Sequence, residues 1–138
     1  MINNKFYKHF FVLFFLTMVL GCSKPDAVQL IDKAIEAEHR TPSYTQRDKY
    51  RHPKETLLFF GLNPEQSIVE ITPGYGWYAE ILAPLMRNKG QYYYTSLKLH
   101  EKINPYFVKV EKAFKEKIEK NPDIYDQLRW VHFNPKQP

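Results

Sequence analysis

Ser67-Ile-Val-Glu-Ile-Thr-Pro-Gly-Tyr-Gly-Trp-Tyr-Ala79 is the stretch from which the fold is read. The β-branched run of Ile68, Val69 and Ile71 stops at Pro73-Gly74-Tyr75-Gly76, and an apolar pattern of helical period follows at once. Strand, glycine turn and helix in that order form the first unit of a doubly wound α/β sheet. At such a junction main-chain N–H groups and a helix N-terminus are free to meet a ligand's polar groups. Glu70 lies on the strand just before the turn, where a carboxylate can accept hydrogen bonds from amino or hydroxyl groups. The combination points to a nucleotide-like cofactor.

Upstream, Pro53 opens a helix through Leu57, Leu58, Phe59 and Phe60, and Gly61 stops it. Asp26 to His39 reads as another helix, with Val28, Ile31 and Ile35 on one stripe and Ala27, Leu30 and Ala34 beside it. Arg40 to His52 is polar and turn-rich and is expected to be an extended arm. Downstream of the turn, Ala79, Ile81, Leu82, Leu85 and Met86 mark a helix that Pro84 bends or shortens. Asn88-Lys89-Gly90 then turns the chain into a strand over Gln91 to Ser96. Asn104 caps a long helix with Pro105 in its first turn. Phe107, Val110, Phe114 and Ile118 form its apolar face, and Glu111/Lys115 and Glu116/Lys120 mark a solvated one. Asn121-Pro122 ends it, and Leu128 to Phe133 reads as a third strand. The expected order is two helices, then β-α-β-α-β with the three strands parallel.

At 138 residues there is room for one domain. Hydrophobic and aromatic contents of 43% and 16% supply a packed core and argue against disorder. The net charge of +5 falls to +3 without Lys5 and Lys8 and is spread along the chain, so nothing favours nucleic acid as a partner. Those two lysines precede an apolar stretch, Phe10 to Leu20, that is shorter than the ~20 residues a transmembrane helix needs. It ends in Val19-Leu20-Gly21-Cys22, and Cys22 is the only cysteine. This segment resembles a bacterial lipoprotein signal, which implies loss of residues 1–21 and membrane anchoring through a lipidated Cys22. Each buried CH₂ of the acyl chains would contribute about 0.8 kcal/mol. An ordinary secretory signal with a coincidental cysteine is the alternative. Ser23 after the cysteine favours the outer over the inner membrane, facing the periplasm. One cysteine forms neither an internal disulfide nor a Cys-based metal site. His9, His39, His52, His100 and His132 show no paired ligand spacing, and there is no Gly-x-Ser-x-Gly elbow.

Two cofactor classes share a glycine turn after the first strand. As a dinucleotide fingerprint, Gly74-x-Gly76-x-x-Ala79 is acceptable. It then asks for an acidic residue ~20 positions on, where the chain has Tyr92-Tyr93-Tyr94-Thr95-Ser96 and, later, Glu101. Alternatively, Glu70-x-x-x-Gly74-x-Gly76 resembles motif I of class I S-adenosylmethionine-dependent methyltransferases, with Thr72 at the first glycine position. The wider context, Arg47-Asp48-x-x-Arg51-x-Pro53-x-Glu55-x-Leu57-x-Phe59-Phe60-Gly61 and then Glu70-Ile-Thr-Pro-Gly-Tyr-Gly-Trp-Tyr-Ala-Glu-Ile-Leu-Ala-Pro84, is similar to a family of exported members of that class. The likeness runs on through Asn121-Pro-Asp-Ile-Tyr125 and covers about Ala34 to the C-terminus.

The resemblance implies a Rossmann-like methyltransferase fold and S-adenosylmethionine as cosubstrate, with an unidentified methyl acceptor. Glu70, Thr72, Pro73, Gly74, Tyr75 and Gly76 would border the cofactor. Trp77 and Tyr78 either shape the pocket rim or pack against the sheet, and Asp48, Arg51 and Glu55 either serve the site or form a surface ion cluster. Residues 1–21 are the signal, 22–46 a helix and linker, and 47–138 a partial methyltransferase domain. Because the family's first strand is central, its edge here is expected to be open. The chain then reads as a C-terminally truncated form, inactive by itself, that pairs with a complementing half or with itself through that edge. A non-catalytic envelope lipoprotein is the reading from another functional class.

Overall fold

The computed structural model describes residues 26–95 and 104–131. The signal, Cys22, Ser23, Ser96, Glu101 and the last residues of the expected third strand lie outside the described residues. Among the described residues four helices come first: α1 (Ala27–Ile35), α2 (Pro42–Thr45), α3 (Asp48–Arg51) and α4 (Pro53–Phe59). Then β1 (Ser67–Ile71), α5 (Ala79–Met86) and β2 (Gln91–Thr95) alternate. The long α6 (Pro105–Lys120), the single turn α7 (Pro122–Tyr125) and β3 (Arg129–Trp130) follow. The protein is α/β, with one parallel sheet in the order β1-β2-β3.

Parallel neighbours cannot be joined by a hairpin, so α5 carries the chain from β1 to β2 and lies on one face of the sheet. The register sets Ile68 opposite Tyr92 and Glu70 opposite Tyr94. Strand alternation sends these four residues to the helical face, where Tyr94 meets Phe114 of α6 edge-on at 5.2 Å. Val69 and Ile71 go to the other face, where they remain 54% and 53% exposed. Among the described strands β1 pairs only with β2, so its outer edge has no partner.

Every residue of α5 except Pro84 is buried. A helix buried around nearly its whole circumference belongs in an interior, and α1, α7 and β2 pack against this one. Asn104 caps α6 by accepting from the Tyr106 N–H at 2.9 Å. The Glu111–Lys115 pair on its outer side closes at 2.8 Å, and Glu116–Lys120 is looser at 3.8 Å.

The segment expected to be an extended arm instead folds as α2 and α3. Propensity in this polar stretch is weak, and long-range contacts decide its conformation. The Arg40 guanidinium donates to the Ile35 carbonyl at 2.9 Å and forms a two-pronged ion pair with Asp48. It thereby ties the end of α1 to the start of α3. Beside it, Glu80, only 1% exposed, accepts from the Thr41 N–H at 2.9 Å, from the Thr41 hydroxyl, and from Lys117 Nζ at 2.6 Å. His39 Nε2 donates to the Glu80 carbonyl at 2.8 Å. One carboxylate therefore joins the arm, α5 and α6.

Removing one partner of a buried, hydrogen-bonded ion pair typically costs 3–5 kcal/mol. Glu80→Ala is expected to lose about that much in urea unfolding of the full chain. Glu80→Gln, which keeps an acceptor for Thr41, is expected to lose less.

Candidate functional site

β1 ends where the chain must leave the sheet and enter α5, and this reversal shapes a cavity of about 420 Å³. Thr72, Pro73, Gly74 and Tyr75 form one wall. Tyr94, at the end of β2, and Tyr106, Phe107, Val110, Glu111 and Phe114 of α6 form the rest. The site thus lies at the carboxyl ends of parallel strands, where α/β folds commonly bind ligands.

The turn is a four-residue one, closed by the Gly76 N–H donating to the Pro73 carbonyl at 2.9 Å. Gly74, at its second position, has φ +61°, while Tyr75 keeps a negative φ. A Cβ on Gly74 would meet nothing within 4 Å. Gly76 (φ +84°) differs, because a Cβ there would lie 2.5 Å from the Phe114 ring. Gly74 therefore serves the bend, and Gly76 also allows α6 to close against it. Thr72 adopts φ +54°, an uncommon conformation for a β-branched residue. Its N–H donates to the Thr95 carbonyl at 2.8 Å, and its hydroxyl donates to the Ile71 carbonyl at 2.7 Å. The N–H groups of Gly74 and Tyr75 have no acceptor among the described residues.

Of the residues expected to border a cofactor, Thr72, Pro73, Gly74 and Tyr75 line the cavity together. Gly76 sits behind them against Phe114, and Glu70 is not in the lining. The alternation of β1 places Glu70 on the same face as Tyr92, whose hydroxyl donates to its carboxylate. Burial pushes the Glu70 carboxyl above its ordinary value, and the Tyr92 hydroxyl and nearby Arg51 oppose that shift. Burial, and then the Glu70 charge, drives Tyr92 well above the usual phenol range.

Trp77 packs in the core at 4% exposure, with its Nε1–H donating to the Tyr44 carbonyl at 2.9 Å. The Arg51 and Arg40 guanidinium carbons lie 4.6 and 5.6 Å from its ring centre. Tyr78 meets Trp77 edge-on at 4.6 Å. Asp48 serves Arg40, and Arg51 serves Trp77 and Glu70.

The aromatic wall was the part that the motif did not reveal. Phe107, Val110 and Phe114 read from sequence as an ordinary core stripe, yet the first turns of that stripe face the cavity. One signal was available: Tyr106-Phe107-Val108 places three large apolar residues in succession, more than one buried helical face can absorb. Glu111 is the one charged side chain among the described lining residues, and it is paired with Lys115. Among the described residues no group of three or more His, Cys, Asp or Glu could hold a metal ion. Comparison with family models, curated proteins and solved structures found no match.

The two glycines are expected to respond differently in urea unfolding. Gly74→Ala should cost about 1 kcal/mol for its left-handed backbone. Gly76→Ala should cost about 3 kcal/mol, because it adds a steric conflict with Phe114. For Glu70, a folded pKa above the unfolded one means that its favourable contribution is complete below the unfolded value. That contribution is lost as pH rises through the raised folded value. Glu70→Gln is expected to remove this decline and to be more stable than the parent on the alkaline side, as read from unfolding midpoints measured across pH.

Proposed function

We propose that the cavity is an S-adenosylmethionine site and that the chain is a Rossmann-like member of the class I methyltransferases, carried in the cell envelope as a lipoprotein on Cys22. The observation that carries this reading is the cavity itself, set against residues 72–75 at the carboxyl end of β1. Its volume falls within the ~300–1,000 Å³ of small-molecule sites. Two main-chain N–H groups without partners among the described residues supply donors for polar groups of a ligand. Rings at Tyr75, Tyr94, Tyr106, Phe107 and Phe114 suit a flat base and a sulfonium cation.

The lining charge favours this cofactor over a dinucleotide. A pyrophosphate would meet no Lys or Arg among the described lining residues, and it would meet one carboxylate. Thr72, Pro73, Gly74 and Tyr75 would hold the cofactor, while Glu70 and Gly76 would shape the turn from behind. When bound, the cofactor supplies an electrophilic methyl group. The chain's part is to align it and exclude water, since Glu111, the one carboxylate among the described lining residues, is engaged with Lys115. The outer edge of β1, bare among the described strands, would accept a further strand from a complementing chain or a second copy. A second reading is a non-catalytic binding module in the same envelope, since among the described lining residues the one carboxylate, Glu111, is engaged with Lys115.

Calorimetric titration of the full chain in detergent with S-adenosylmethionine, with S-adenosylhomocysteine as competitor, tests the first reading. Saturable binding is expected. Tyr106→Ala and Phe107→Ala, both at half-exposed positions that the fold tolerates, are each expected to weaken it about tenfold. No binding at millimolar cofactor would overturn the cofactor assignment and leave the non-catalytic module.

A further inference from the structure

Tyr75 is held from behind as well as lining the cavity. Its carbonyl accepts from the Tyr44 hydroxyl at 3.0 Å and from Lys117 Nζ at 3.4 Å. Lys117 also lies 4.4 Å from the centre of the Tyr44 ring and pairs with Glu80 at 2.6 Å. Tyr44 is in turn fixed through its own carbonyl by the Trp77 indole N–H. Every group around this carbonyl thus has a second anchor in the arm, α5 or α6.

The peptide unit between Tyr75 and Gly76 is the one that such a clamp can govern. Rotating it changes ψ of Tyr75 and φ of Gly76, and glycine tolerates either sign of φ. The local chain therefore sets little barrier against a flipped carbonyl. The two donors behind it, together with the Gly76 N–H bond to Pro73, select one orientation.

We propose that Tyr44 and Lys117 are positioning residues for the ligand site: they fix the Tyr75–Gly76 peptide, so ligand affinity depends on docking of the residue 39–44 arm. The effect on affinity rests on the cavity being a ligand site; the effect on the peptide does not.

Tyr44→Phe isolates the clamp, because it keeps the ring over Lys117 and the bond from Trp77 and deletes only the hydroxyl. In ¹⁵N-labelled full chain in micelles without ligand, the amides of Gly74, Tyr75 and Gly76 are expected to broaden by exchange or to double, while those of α5 and β2 keep their shifts. With S-adenosylmethionine as probe, Kd is expected to rise about fivefold. Lys117→Arg, which keeps a cation between Glu80 and the carbonyl, is expected to stay within twofold of the parent. Unchanged turn amides in Tyr44→Phe would overturn the clamp. Altered turn amides with unchanged Kd would overturn its link to affinity. If the parent binds no S-adenosylmethionine, the cavity assignment fails while the amide spectra still decide whether the peptide is clamped.

Discussion

A single buried carboxylate organises the molecule. Glu80 is the one charged residue in a helix otherwise made of core side chains, and it sits almost fully out of water. Such a group persists only when its oxygens are matched, and here the match comes from two distant segments: Thr41 supplies two donors and Lys117 an ammonium. The arm before α3 and the long helix α6 are thereby referred to one point on α5. Without it, Lys117 would lose its counter-ion and the arm would lose both Thr41 bonds to α5.

The cavity inherits its shape from this arrangement. One wall is a turn whose bend needs Gly74, and the other is the first half of α6, brought close by the missing side chain of Gly76. Phe114 serves both, closing against the turn and meeting Tyr94 edge-on. The cavity and the core are therefore not separate regions, because the same ring that fills the sheet's helical face closes the back of the site. Glu70 follows the same logic. Strand alternation commits it to the helical face, where Tyr92 receives it, and this explains why a motif carboxylate three residues before the turn is absent from the lining.

Much of the framework was legible from local pattern. The β-branched run ending at Pro73, the cap at Asn104 and the four-apart charge pairs each rest on neighbours in sequence, so the chain states them directly. The helices at 42–51 did not show, because they depend on Arg40 reaching Asp48 and Thr41 reaching Glu80, contacts that no short window contains. In the candidate site, the turn residues were legible as a motif, whereas the aromatic wall was disguised as a core stripe. Glu80 carried a quiet signal: a lone acid among the apolar residues from Trp77 to Leu82 has to find a partner somewhere.

Trp77 gives the molecule an optical property. The chain has two tryptophans, and Trp130 sits half-exposed on β3, whereas Trp77 is buried, with two guanidinium groups near its ring and its indole N–H bonded to the backbone of Tyr44. An indole shielded from solvent emits at shorter wavelength than one in contact with it, so the two fluorophores are spectrally distinct. The shorter-wavelength component comes from the place where the arm meets α5, and the protein therefore carries its own label-free reporter of whether that junction is closed.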